Sequence, residues 1–249
     1  MQEWPNLLPY LTTGKGLCFS HGFSIVYNNQ TGVVPPSDID VILVAPKGSG
    51  KSVRENFLNK SGINSSYGVH QDYTGRALER TLAIGMAIGS GYLFPTTFQD
   101  EVHSDLVGER GALMGAIAGV FKAQFDVLIE KGIDAVTAFN ETVEEFTQSL
   151  IRIVAEGGMD YMFRNCSATA QRGALDWAPR FEAAVRPVFD DLCQRVVDGR
   201  EVARVLRATG RTDYKKILGA ELEAMRTSQM WQVGAALRAL RPENQQKID

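Results

Sequence analysis

Two pairs of carboxylates have the spacing to do chemistry. Asp105 and Glu109 stand four apart, as do Glu141 and Glu145, so each pair shares one face of a helix. At about 100° per residue, Glu109 lies about 40° from the centre of the apolar stripe set by Leu106, Leu113, Ile117 and Val120. Ala112 and Ala116 extend that stripe on the side of Asp105. A carboxylate beside an apolar stripe must be neutral, paired or metal-bound, because burying it bare is costly. Glu141 and Glu145 lie nearly opposite the stripe of their own helix, beside Gln148 and Arg152, which taken alone describes a solvated face. As like charges they cost the helix about a few tenths of a kcal/mol, and a divalent cation shared with another acidic helix would reverse that sign. Four carboxylates without a histidine ligand suit Mg²⁺ or Mn²⁺ better than zinc.

Two further segments carry polar groups. Ala45-Pro46-Lys47-Gly48-Ser49-Gly50-Lys51-Ser52 follows an apolar run and matches a relaxed phosphate-loop pattern, with Ala in place of the first Gly. No later apolar strand ends in an Asp to hold Mg²⁺, so a nucleotide triphosphatase is disfavoured. A dinucleotide, a substrate carboxylate or a tight turn without ligand all remain open for that loop. In Cys166-Ser167-Ala168-Thr169-Ala170 no base flanks the hydroxyls, which favours Ser167 or Thr169 as a helix N-cap and Cys166 as a small buried side chain.

The elements that must position these groups divide the chain in two. Gly16–Ser20 is a short apolar run that ends in the loop at His21, and Asp40–Ala45 is a near-continuous apolar run that ends at Lys47. The second reads as a strand buried on both faces of a parallel sheet. Ligands sit at the carboxyl ends of such strands, so both exits are candidate site edges. From about residue 75 onward the pattern is helical. Leu113, Ile117, Val120, Phe121, Gln124 and Leu128 share one side, as do Phe139, Val143, Phe146, Leu150 and Ile153. The composition shifts near residues 60–75.

Composition narrows the function classes. The 249 residues are 44% hydrophobic and 22% charged, with a net charge of −3, which argues against nucleic acid as partner. Three scattered cysteines exclude a disulfide framework or zinc ribbon and suit a reducing compartment. Three histidines (His21, His70, His103) form no metal-binding motif. The longest apolar stretch, Leu82 to Phe94, is short and broken by glycines, so no membrane span is expected. The first residues have neither a secretory nor an organelle-targeting pattern.

Taken together, Phe-Ser-His-Gly-Phe (19–23), Val-Ile-Leu-Val-Ala-Pro-Lys-Gly-Ser-Gly (41–50), Thr-Thr-Phe-Gln-Asp-Glu-Val-His-Ser-Asp-Leu-Val-Gly-Glu-Arg (96–110), Ala-Phe-Asn-Glu-Thr-Val-Glu-Glu (138–145) and Cys-Ser-Ala-Thr-Ala-Gln-Arg-Gly (166–173) resemble the ketol-acid reductoisomerases. The similarity runs on through Leu240-Arg241-Pro242-Glu243-Asn244-Gln245 and covers essentially the whole chain.

The resemblance implies an α/β partial Rossmann segment, residues 1–62, followed by a mostly α-helical, knotted, dimerising domain, residues 63–249. It implies Mg²⁺-dependent alkyl migration in a 2-acetohydroxy acid, then reduction by NADPH, a step of valine and isoleucine biosynthesis. Asp105 would bridge two Mg²⁺ ions with Glu109 on the first, while Glu141 and Glu145 would complete the second. Ser167 would contact substrate, His21 and Lys47 would be catalytic, and Gly50 would touch NADP(H). The helix of Glu141 and Glu145 would serve the site of a partner copy in a homodimer, and Lys51 is left without a role. The turn with three glycines that grips the cofactor phosphates is expected to precede this chain, since the spacings opening at Gly14, Gly48 and Gly89 lack the third glycine. An alternative is therefore a catalytically incomplete assembly module that dimerises and binds Mg²⁺ without reducing substrate. The compartment implied is the cytoplasm, or the mitochondrial matrix or plastid in a eukaryote.

Overall fold

The computed structural model describes residues 3–245, which form two compact units. The first comprises residues up to Val107 together with Cys193–Arg204, and the second comprises Gly108–Leu192 and the chain from Val205. The boundary thus falls after the composition shift near residues 60–75, because the sheet does not end there.

The first unit is built on four strands, β1 (Gly16–Phe19), β2 (Asp40–Pro46), β3 (Ser65–Gln71) and β4 (Leu93–Pro95), in that spatial order. β1 and β2 are parallel, with Gly16 opposite Asp40 and Phe19 opposite Leu43. β3 runs antiparallel to β2, placing Val69 opposite Ile42 and Ser65 opposite Pro46, and β4 runs parallel to β3. The sheet is therefore mixed rather than wholly parallel. β2 is nonetheless buried from Asp40 to Ala45, as its unbroken apolar run demands. Ile25, Val33, Ile39, Val41, Leu43, Ala45 and Phe98 form the core on one face. β4 is a three-residue strand inside a stretch that sequence periodicity assigned to helix, and so short a run carries no period to detect.

Helix α1 (Gly50–Leu58) follows the glycine loop, α2 (Ala77–Ala87) follows β3, and α3 (Phe98–Arg110) follows β4. The distant segment Cys193–Arg204 is tied into this unit by hydrogen bonds that include Tyr27 Oη donating to the Val196 carbonyl at 2.7 Å and Gln30 Nε2 to that of Gly199 at 3.3 Å. Val196 and Val202 are fully buried beside them.

The second unit is helical. It holds α4 (Gly115–Glu130), α5 (Ala135–Phe139) with the π-helical turns Asn140–Glu144 and Phe146–Leu150 that continue it, and most of the thirty-residue α6 (Ala168–Val197). Two short helices, Ile151–Gly157 and Met159–Arg164, precede α6; α7 (Arg200–Thr209), whose first turn belongs to the first unit, α8 (Tyr214–Arg226) and α9 (Gln229–Ala239) follow it. Phe125, Ala138, Phe139, Val143 and Met230 form its core. The expected stripe on α4 is displaced, since the helix is interrupted at residues 111–114 and the angular count does not run through the break. Leu113 and Val120 are exposed, and Phe125 is buried in their stead.

Within Phe98–Glu130, a window of 18 residues with a mean hydropathy of 1.6 is long and apolar enough, by length and composition, to cross a membrane. Leu82–Phe94 is therefore not the longest apolar stretch of the chain. Lys122 and Asp126, ion-paired one turn apart, lie in the middle of α4.

Candidate active site

His21 and Lys47 sit just beyond the carboxyl ends of the adjacent parallel strands β1 and β2, where an α/β sheet presents its ligand-binding loops. α3 supplies the acidic side. Its start is fixed by Thr97, whose hydroxyl accepts a hydrogen bond from the Asp100 amide at 2.9 Å. Gly22 lets the helix approach closely: a Cβ there would lie 2.3 Å from the Phe98 carbonyl oxygen.

That approach brings Glu101 under both strand ends. Its Oε2 accepts from the Gly22 amide at 2.7 Å and lies 3.0 Å from His21 Nδ1, while Oε1 accepts from Lys47 Nζ at 3.1 Å. The Glu101 side chain is 1% exposed. Burial pushes its carboxyl pKa up, and this is the largest single effect. Hydrogen bonds from His21 and Gly22 with the charges of His21 and Lys47 together outweigh it, so the group titrates below the ordinary carboxylate range.

Asp105 follows one turn later. Oδ2 is 3.5 Å from His21 Nδ1 and Oδ1 is 3.9 Å from Lys47 Nζ, with the side chain 36% exposed. Glu101 is thus saturated by protein donors, whereas Asp105 keeps an open face. His21, Glu101 and Asp105 each offer a ligand atom within 4.8 Å of the others.

The structure brings His21, Lys47 and Asp105 together, and it adds Glu101. The signal for Glu101 was present in the sequence: Glu101, Asp105 and Glu109 recur at intervals of four along α3. The other residues lie elsewhere. Glu109 is half-exposed and pairs with Arg110 Nη1 at 2.6 Å. Gly50 is exposed in the first turn of α1, behind Ser49, whose hydroxyl caps that helix by accepting from Ser52 N at 3.2 Å. Lys51 points into solvent toward Glu55 at 3.7 Å, and Lys47 is the loop cation that joins the cluster.

Glu141, Glu145 and Ser167 belong to the second unit and are all exposed. Neither glutamate has an ion-pair partner among the described residues, so a pair of like charges stands uncompensated on one helix. Oxygen donors that are open to solvent and lack a protein cation have the chemistry a hard divalent ion requires. The Ser167 hydroxyl accepts from Ala170 N at 3.3 Å, and so caps α6. Cys166 is half-exposed rather than buried, because it lies in the turn ahead of that cap.

Comparison with known proteins agrees with this layout. Residues 98–243 match the model of the ketol-acid reductoisomerase C-terminal domain, and residues 4–92 that of the acetohydroxy acid isomeroreductase NADPH-binding domain. The ketol-acid reductoisomerase (NAD(+)) of Desulfosudis oleivorans is 63% identical over 244 residues, covering 98% of this chain and 69% of that protein. The mitochondrial ketol-acid reductoisomerase of Neurospora crassa is 53% identical, again over 98% of this chain but 61% of its own length. An NADH-preferring ketol-acid reductoisomerase from an uncultured archean superposes with a TM-score of 0.86 at 32% identity, covering 97% of this chain and 72% of that one.

The fold class is an α/β segment followed in the chain by a mostly helical unit, and the family matches make it that of an oxidoreductase and isomerase. The chain belongs to the ketol-acid reductoisomerase family. It spans about 61% to 69% of the length of these two relatives.

Proposed function

We propose that this chain contributes the catalytic site for metal-dependent alkyl migration in a 2-acetohydroxy acid and its reduction by a nicotinamide nucleotide. The product is a 2,3-dihydroxy acid on the route to branched-chain amino acids. The observation that carries this reading is the cluster of His21, Lys47, Glu101 and Asp105 at the ends of β1 and β2.

Asp105 would bridge two Mg²⁺ ions, with Glu109 on one, and with Glu141 and Glu145 of a second copy on the other. The ions, when bound, supply polarisation of the ketone and the neighbouring alkoxide. The protein groups then have separable tasks. Glu101 holds His21 through Nδ1 and Lys47 through Nζ, fixing both side chains at the site's edge. His21 accepts or returns a proton on a substrate oxygen, and Lys47 donates a charged hydrogen bond to the oxygen that gains negative charge. Ser167 of the second copy would donate its hydroxyl hydrogen to the substrate while its oxygen continues to cap α6. Gly50, with no side chain and open space around it, would let the nucleotide approach the backbone. The working unit in this reading is at least a homodimer, in a cytoplasmic or mitochondrial setting.

Calorimetry tests the metal half directly. Mg²⁺ is expected to bind the folded chain with roughly micromolar to millimolar affinity, and Asp105→Asn to abolish the bridged site. A folded wild-type dimer that takes up no Mg²⁺ would sink the reading. Oxidation of NADH or NADPH in the presence of 2-acetolactate tests the other half.

A further inference from the structure

Glu141 and Glu145 lie in a helix whose turns are wider than those of an α-helix. The backbone is π-helical over Asn140–Glu144 and again over Phe146–Leu150. Such turns are rare, so something must hold this segment in its register. Thr142, Val143 and Glu144 face inward and are buried, whereas Glu141 and Glu145 on either side are exposed. A carboxylate therefore sits at the inner face beside Phe139 and Val143, where a hydrocarbon side chain is the ordinary choice.

Its partner comes from the far end of the same unit. Arg241, just past α9, donates from Nε at 3.0 Å and from Nη2 at 2.7 Å, both to Glu144 Oε1. A second clamp acts on the same turn, with Gln124 Nε2 on α4 donating to the Glu141 carbonyl at 3.0 Å and lying 3.3 Å from Thr142 Oγ1. α9 is itself close against the helix, since a Cβ on Gly234 would lie 2.4 Å from Phe139 Cζ. Rotating the segment by one residue would pull Glu144 off Arg241 and bring Glu145 or Val143 to face the guanidinium.

We propose that the Glu144–Arg241 ion pair is a positioning device, which fixes the wide-turn helix so that Glu141 and Glu145 project together as a ligand pair. The proposal rests on the reading that these two glutamates bind a divalent ion. Neither Glu144 nor Arg241 touches the ion; they act through the backbone between them.

The test is Mn²⁺ binding to the full chain, followed by electron paramagnetic resonance, with thermal melting as the measure of fold. Removing one partner alone would strand a buried charge and could unfold the unit. The informative variant is therefore Glu144→Met with Arg241→Met, which replaces the pair by apolar side chains of similar length. It is expected to melt near the wild-type temperature and to bind Mn²⁺ about tenfold more weakly at the site that Glu141→Gln with Glu145→Gln eliminates. Arg241→Lys keeps the charge but loses the two-pronged contact, and is expected to weaken the same site by a smaller factor with the fold intact.

Wild-type Mn²⁺ affinity in both Arg241 variants, with the site still lost on removing Glu141 and Glu145, would overturn the positioning role alone. Unchanged Mn²⁺ binding after removing Glu141 and Glu145 would overturn the metal reading and the proposal with it.

Discussion

Glu101 organises the candidate site without being its most accessible acid. One carboxylate accepts from a backbone amide, an imidazole and an ammonium, so its removal would leave His21 and Lys47 with only the longer and more exposed contacts to Asp105. Glu101→Gln is expected to destabilise the chain by about 1–3 kcal/mol, the usual cost of unpairing buried polar partners, as read by urea unfolding at neutral pH. Asp40 does the same work at the opposite end of β2. Its buried carboxylate accepts from the Tyr73 and Thr74 amides at 3.0 Å each, and from Thr74 Oγ1 and Arg80 Nη1 at 2.7 Å each. Desolvation pushes its pKa up most strongly, but the Thr74 and Tyr73 hydrogen bonds and the Arg80 charge together bring it below the ordinary value. A group whose folded pKa is depressed stabilises the fold above its unfolded pKa, about 3.9, and loses that contribution as pH falls through the folded value. Stability should therefore drop on acidification below about pH 4, and Asp40→Asn should flatten that limb while lowering stability at pH 7. Urea midpoints from pH 2 to 7 check both statements.

At the scale of elements, the site depends on how closely α3 approaches the loop after β1. Only a residue without Cβ fits at 22, because the Phe98 carbonyl occupies that space. Gly22→Ala is expected to push α3 outward, to break the Gly22 amide bond to Glu101, and to cost about 1–3 kcal/mol as other overpacked sites do. A crystal structure or amide exchange at residue 22 would register the displacement, and an unmoved helix with unchanged stability would contradict the argument. The π-helical segment shows the same dependence in the other unit. Counting by 3.6 correctly put Glu141 and Glu145 on the solvated face, yet it could not reveal that Glu144 turns inward to meet a residue nearly a hundred positions away.

At the scale of the whole molecule, the helical unit leaves much apolar surface uncovered. Leu113, Met114, Val120, Val127, Trp177 and Phe181 are all exposed, and of the thirty residues of α6 only Val196 is buried. A helix of that length gains little from its own chain and needs an external face to pack against. In the proposed homodimer a second copy supplies it. Sedimentation should then show a dimer at micromolar concentration, and the melting temperature should rise with protein concentration, because association stabilises only the folded state. A monomer with a concentration-independent melting temperature would contradict the dimer. The charge of −3 and the scattered cysteines set the broad class but have no bearing on this question.

Much of the arrangement is local enough to be legible in the linear chain. The buried run Asp40–Ala45, the loops at His21 and Lys47, the solvated Glu141–Glu145 face and the capping by Ser167 each depend on neighbours within a few residues. Their spacing also carries the family resemblance. Three features depend on residues far apart. The antiparallel β3 joins the sheet by backbone pairing, which leaves no side-chain signature. Glu101 becomes the hub of the cluster because Gly22, Lys47 and His21 converge on it from two strand ends. Segment Cys193–Arg204 belongs to the first unit, where hydrogen bonds from Tyr27 and Gln30 reach it. Periodicity reports which side of an element is buried, but not what it is buried against. The sequence by itself determined the helices, the central strand and the acidic spacing, through propensity and apolar patterning. Which carboxylate His21, Lys47, Arg80 and Arg241 meet was decided only by tertiary packing, since ion pairing falls off steeply with distance and distance is set by the fold.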